Sequence, residues 1–176
     1  MELHWYPGHM AKARKLIREN LKLVNVVIEL LDARIPQSSR NPDIKTITGK
    51  LPRVVVLNKV DLADPTQTRA WTSVLATENA AVLQVDSFTG RGHSKIPQTV
   101  RKIAVPGHTG TVRGIVVGIP NVGKSTFINR LAEKRSARTG ARPGVTRGKQ
   151  WIRISPGLEL LDTPGVLWPR LDNQEV

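Results

Sequence analysis

Met10, Ala13, Ile17, Leu21 and Val24 recur at spacings of three and four, and Lys12, Arg14, Lys15, Arg18 and Lys22 fill most of the positions between them. That period fits an amphipathic helix ending near Val24, started by the turn Trp5-Tyr6-Pro7-Gly8-His9. The pattern then changes to short unbroken apolar runs, Val26 to Leu31, Arg53 to Leu57 and Ala81 to Val85. Runs of that length suit strands of a sheet covered on both faces. Between them, Arg69 to Ala76 predicts a helix, and Ser94 to Ala104 predicts another whose start Pro97 limits to about residue 96. A strand from Thr111 to Val117 and a helix from Lys124 to Ala132 follow, and Gln150 to Ile154 pairs with Leu158 to Leu161 as a hairpin across Ser155-Pro156-Gly157. Strands alternating with helices predict an α/β fold with a mostly parallel sheet, whose ligands sit at the carboxyl ends of the strands.

Composition narrows the setting. The 176 residues suffice for one domain with a real core. Cysteine is absent, which removes disulfides and thiolate metal sites and fits a reducing compartment. His4, His9, His93 and His108 lack the paired spacing of a zinc site. No apolar run approaches a membrane span, and the start has no signal-peptide pattern, so a cytoplasmic protein without a membrane partner is expected. The net charge of +13 points to a polyanionic partner. The charge is also clustered: Lys134 to Arg153 holds seven Lys/Arg and no acid.

Three motifs give the chemistry. Gly118-Ile119-Pro120-Asn121-Val122-Gly123-Lys124-Ser125, between a strand and a helix, has the spacing of a phosphate-binding loop. Its glycines let backbone N–H groups of Asn121, Val122, Gly123 and the helix start through Thr126 turn toward phosphate oxygens. Lys124 would reach the β- and γ-phosphates, and Ser125 would offer its hydroxyl to Mg²⁺. Asn58-Lys59-Val60-Asp61, after an apolar strand, reads as a guanine motif. Asp61 would accept hydrogen bonds from guanine N1–H and the 2-amino group, and an unpaired carboxylate would reject adenine. Asn58 would brace the loop, and the Lys59 stem would lie over the ring. Ser87, in Asp86-Ser87-Phe88, is the matching loop whose N–H would meet guanine O6. Asp162-Thr163-Pro164-Gly165 would hold Mg²⁺ through Asp162 and the γ-phosphate through the Gly165 N–H. Thr146, in Pro143-Gly144-Val145-Thr146-Arg147, is the expected switch threonine on Mg²⁺, with Thr139 as competitor. The guanine motif leads the phosphate loop by sixty residues, the reverse of the usual order, which predicts a circularly permuted GTPase with Val105 to Gly110 as the joining linker.

These residues, with Trp5-Tyr6-Pro7-Gly8-His9-Met10, Asp32-Ala33-Arg34-Ile35-Pro36 and Asn41-Pro42, resemble the circularly permuted bacterial ribosome-assembly GTPases of the YlqF/RbgA family over essentially the whole chain. The resemblance implies a P-loop NTPase fold and GTP hydrolysis coupled to late maturation of the large (50S) ribosomal subunit. Its partners would be guanine nucleotides, the subunit precursor and its ribosomal RNA, and no DNA partner is expected. One domain would comprise a helix over 9–24, a base-recognition half over 25–104, the linker over 105–110 and a phosphate-loop and switch half over 111–176. The family's C-terminal helical RNA-binding domain has no counterpart in these 176 residues.

One position departs from the common GTPase pattern. The residue after Asp-x-x-Gly, a water-orienting glutamine in many GTPases, is Val166. The expected substitutes are a K⁺ ion held with help from Asn121, and His9, which titrates near neutral pH. His9 packed locally as a helix-start residue is the competing role. Trp5 and Tyr6 would stack on RNA or pack the first helix onto the sheet. The function expected is a slow GTPase switch stimulated by a ribosomal particle. The alternative is a nucleotide-sensing RNA-binding assembly factor with negligible hydrolysis, and Asp61 argues against an ATPase.

Overall fold

The chain was analysed as a computed structural model that describes residues 15–76, 81–104, 108–139 and 150–162. Helical turns over 15–21 (α1) lead into β1 (Val26–Asp32), α2 (Ile44–Thr48), β2 (Arg53–Asn58), α3 (Pro65–Ala76), β3 (Ala81–Gln84), α4 (Ile96–Ile103), β4 (Val112–Val117), α5 (Lys124–Thr139), β5 (Gln150–Ser155) and β6 (Leu158–Asp162). One six-stranded sheet has the order β3-β2-β1-β4-β6-β5. All neighbours run parallel except β5, which pairs antiparallel with β6 as the expected hairpin.

Helices cover both faces. Alternate residues of β1 point in opposite directions, as strand pleating requires. Val26, Ile28 and Leu30 enter one core with Ile96 and Val100 of α4 and Phe127 and Leu131 of α5. On the other face Val27 packs with Ile17 and Leu21 of α1 and Ile44 of α2. Leu31 packs with Leu75 of α3, and Trp71 lies against that cluster. The apolar stripe read from 10–24 is thus real where it is described, and its Ile17 is 1% exposed.

Four elements differ from expectation, each for a local reason. α3 begins at Pro65, four residues before Arg69, because Asp64 caps it: Oδ1 accepts the Gln67 N–H (2.8 Å) and Pro65 takes the first turn, where no N–H is needed. α5 continues to Thr139, past Ala132. No glycine or proline interrupts 133–139, and cations suit a helix C-terminus. The short α2 was not anticipated; its buried Ile44 and Thr48 lie one turn apart, and Gly49 ends it at φ 57°. Finally, Ala81 to Gln84 is an edge strand and only partly buried: Ala81 and Leu83 face one core and Val82 the other, but one edge has no neighbouring strand among the described residues. The linker expected over 105–110 lies partly outside the described residues; His108 meets the Thr111 carbonyl through Nε2 (2.9 Å).

Candidate functional site

The carboxyl ends of β1, β2 and β4 bring the two nucleotide motifs together. Asp32 at the end of β1 stands opposite Asn58 at the end of β2, and β4 on the other side of β1 runs into the phosphate loop. Asn58 is buried and joins three loops. Its amide nitrogen donates to the Val122 carbonyl in the phosphate loop (2.9 Å). Its Oδ1 accepts the Ser87 N–H (3.1 Å) and the Ser87 hydroxyl (2.8 Å). Gly123, at φ 96°, has to be glycine here: a Cβ would lie 2.6 Å from Asn58 Nδ2.

Lys59 adds a second tie. It sits in the left-handed region at φ 63°, where the chain turns out of β2. Its ammonium donates to the Asn121 carbonyl (2.7 Å) and lies 3.2 Å from Asp32 Oδ2. Asn121 is the other non-glycine residue in that region among those described, at φ 68°. Asp32 in turn is gripped by Arg34, whose Nε (3.0 Å) and Nη2 (2.7 Å) reach its two oxygens. Burial alone would raise the Asp32 pKa; the bonds from Arg34 and Lys59 outweigh it and bring it down to about 2. Arg34 also feels the charge of Asp61. Asp61 itself is exposed.

At the phosphate end Lys124 folds back on its own loop. Its ammonium donates to the carbonyls of Gly118 (2.6 Å) and Ile119 (3.0 Å). Burial lowers its pKa. Ser125 and Thr126, in the first turn of α5, are exposed. The backbone of β6 carries Asp162 to the same end of the sheet: Leu161 stands opposite Ile115, which places Asp162 level with the residues that enter the phosphate loop. A hydroxyl and a carboxylate position at that edge are the hard oxygen donors that suit Mg²⁺.

Not every expected site residue falls within this geometry. Thr146, Gly165, His9 and Val166 lie outside the described residues. Thr139 ends α5, about 21 Å along the helix axis from Ser125, and cannot share a metal ion with it. The Ser87 N–H, expected on guanine O6, is bonded here to Asn58 Oδ1.

Three residues went unassigned from sequence. Asp32 and Arg34 stood at a strand end without a role, although the position opposite the guanine motif was the clue. Arg130, one turn beyond Phe127 in α5, donates to the carbonyls of Ser87 (3.2 Å) and Phe88 and so fastens the Ser87 loop to the phosphate-loop helix. Nothing in its sequence surroundings marked it.

A family profile described as "50S ribosome-binding GTPase" matches residues 113–176, the half that starts with β4 and the phosphate loop. Over the entire chain, Ribosome biogenesis GTPase A of Priestia megaterium is 47% identical, and the chain covers 65% of that relative. Over its full length the chain is similar to proteins named ribosome biogenesis GTPase A. The protein of that name from Thermotoga maritima is 35% identical over 99% of the chain. The chain spans just under two thirds of the length of these relatives. Among solved structures, GNP-bound YlqF from T. maritima superposes with a TM-score of 0.66 at 29% identity, covering 92% of this chain and 60% of that one. A GDP-bound YlqF structure superposes with the same TM-score of 0.66 and covers 89% of this chain. The fold is therefore that of a P-loop GTPase in the permuted order.

Proposed function

We propose that the chain binds guanine nucleotides at the carboxyl ends of β1, β2 and β4, hydrolyses GTP to GDP and phosphate with Mg²⁺, and serves as a switch in late assembly of the large ribosomal subunit. The observation that carries this proposal is the double tie between the motifs, Asn58 to Val122 and Lys59 to Asn121. Two segments some sixty residues apart, in reversed order, form one cradle whose ends suit a base and a chain of phosphates.

The roles follow from chemistry. Asp61 accepts from guanine N1–H and the 2-amino group. The Lys59 stem lies over the ring while Asn121 O and Asp32 hold its ammonium. Lys124 exchanges two neutral carbonyls for anionic phosphate oxygens, a gain for a half-buried cation. The N–H groups of Asn121, Val122, Gly123, Ser125 and Thr126 close on the phosphates with the α5 N-terminus behind them. Ser125, Thr146 and Asp162 would hold a magnesium ion, which would neutralise phosphate charge, and the Gly165 N–H would meet the γ-phosphate. With valine at 166, K⁺ held with help from Asn121, and His9, would supply the missing help. The basic run Lys134 to Arg153 engages ribosomal RNA of the precursor particle, with a strong salt dependence.

The second reading, an RNA-binding assembly factor that senses nucleotide but hardly hydrolyses it, draws on Val166. Single-turnover GTP hydrolysis in matched K⁺ and Na⁺ buffers, with and without large-subunit precursor, separates the two. The switch enzyme turns over faster on the particle and faster in K⁺, and His9→Ala slows it. Tight GDP and GTP binding with no turnover in any of these conditions overturns the enzymatic proposal and leaves the second reading.

A further inference from the structure

His93 is fully buried, although it lies outside both nucleotide motifs. It sits in a short 3-10 turn, His93–Lys95, and its ring packs on Phe127 of α5 with centroids 5.3 Å apart. Nε2 lies 3.3 Å from Ser87 Oγ, and Nδ1 lies 3.4 Å from the Arg91 carbonyl.

The hydrogens of this cluster can be counted. A carbonyl only accepts, so Nδ1 has to carry a hydrogen toward Arg91 O. Ser87 Oγ is 2.8 Å from Asn58 Oδ1, an acceptor whose orientation is fixed by the Asn58 amide on Val122 and by the Ser87 N–H. The single Ser87 hydroxyl hydrogen is therefore committed to Asn58. Toward His93, Oγ has only lone pairs left, and Nε2 has to donate as well. A ring that donates from both nitrogens is an imidazolium.

The surroundings contain the charge to support it. Asp86, on the loop after β3, is 4% exposed and accepts from the Phe88 N–H (2.8 Å) and the Thr89 hydroxyl (2.5 Å). Burial pushes its pKa up, but these bonds and the charge of His93 outweigh that and keep it below the usual value. The cations nearby are engaged elsewhere. Arg130 of α5 points to the Ser87 and Phe88 carbonyls, Lys59 from the end of β2 to Asn121 and Asp32, and Arg101 of α4 to Ser155 and Pro156. Arg91 and Lys95 flank His93 in its own segment.

We propose that protonated His93 is a positioning residue for the guanine site: its imidazolium donates to Ser87 Oγ, which commits the Ser87 hydroxyl to Asn58 and fixes the side chain shared by the base loop and the phosphate loop. Loss of that proton frees the Ser87 hydroxyl to turn toward His93 and loosens Asn58. Guanine nucleotides therefore bind more tightly when His93 is protonated, and their binding draws a proton onto it. The inference rests on the guanine-site assignment proposed above and adds a residue and a pH dependence to it.

The test is GDP titration of the 176-residue chain by calorimetry from pH 5.5 to 8.5, with the parent, His93→Gln and His93→Phe compared at each pH. Titration of the GDP phosphates affects all three alike, so the variant-to-parent ratio isolates His93. The parent should lose about fivefold in affinity across the range, the worth of one hydrogen bond. His93→Gln, an amide donor that does not titrate, should stay near the parent's low-pH affinity throughout. His93→Phe should be weaker and flat. A second readout is independent of any variant's folding: nitrogen NMR of the parent ring should show both nitrogens protonated at pH 6, more so with GDP bound. A neutral ring at pH 6, or a His93→Gln protein that keeps the parent's pH dependence, overturns the inference while leaving the guanine site intact. A parent that binds no GDP at any pH overturns both.

Discussion

The two ends of the proposed nucleotide cradle are built differently. At the base end the polar groups are interlocked. Asn58 bonds Ser87 and Val122, and Lys59 bonds Asn121 and lies beside Asp32, which Arg34 grips with two nitrogens. At the phosphate end Lys124 rests on carbonyls of its own loop, while Ser125 and Thr126 face solvent. The base end is organised by bonds between elements. The phosphate end holds its charge on exchangeable partners. On the proposed function, recognition of the base would cost little reorganisation, while the phosphate end would have groups to redirect toward a third phosphate.

The largest effect expected is at the phosphate end. Lys124→Ala should weaken GTP by at least 100-fold, on the order of 3 kcal/mol for a desolvated charge-assisted contact, with the melting temperature nearly unchanged because only loop carbonyls lose a partner. Fluorescence titration and a thermal melt check both halves. A large loss of stability would mean that Lys124 holds the fold and that the contrast between the two ends is wrong.

Asn58→Ala should act on stability first. It removes a buried side chain that satisfies three groups, so stability should fall by roughly 2–4 kcal/mol, and GDP affinity should fall with it. Denaturant melts measure the first quantity. A fully stable Asn58→Ala protein would show that the base end is not interlocked.

A smaller effect is expected one bond further out. Asp32→Asn keeps the shape but takes the charge from beside Lys59 and Arg34, and should reduce GDP affinity by about tenfold without unfolding the domain. The pH dependence follows from the same carboxylate. Its pKa of about 2 lies below the ordinary 3.8, so its contribution to stability is present above about pH 4 and is lost as the pH falls toward 2. The Asp32→Asn protein should lack that component of acid unfolding. Identical acid titrations of the two would show that the Asp32 contacts add nothing to stability.

How much of this was legible in the sequence depends on the distance over which each feature is encoded. The sheet and most helices were, because buried parallel strands read as apolar runs and α1 as a stripe of period 3.6. So was the pairing of Gly118–Ser125 with Asn58–Asp61, since both motifs are local and sit at strand ends. The edge position of β3 was not, because neighbour order in a sheet is a tertiary property. Nor were the ties made by Asp32, Arg130 and His93. Arg130 reaches a loop more than forty residues away in sequence, and His93 looks like any polar residue of a Gly-rich turn until the fold buries it. The Ser87 N–H shows the limit from the other side: sequence placed it in a loop at a strand end, but the direction of its bond depends on Asn58.

The central claim is that Asp61 reads the base in a cradle completed by the phosphate loop. The most direct test is to titrate GDP and xanthosine diphosphate against the parent and the Asp61→Asn protein. The amide can donate to the 2-oxo group of xanthine where the carboxylate cannot. The parent should prefer GDP, and the variant should lose GDP by about 2–4 kcal/mol and gain xanthosine diphosphate. An Asp61→Asn protein that binds GDP as the parent does would contradict the account, because Asp61 would then not be the residue that recognises guanine.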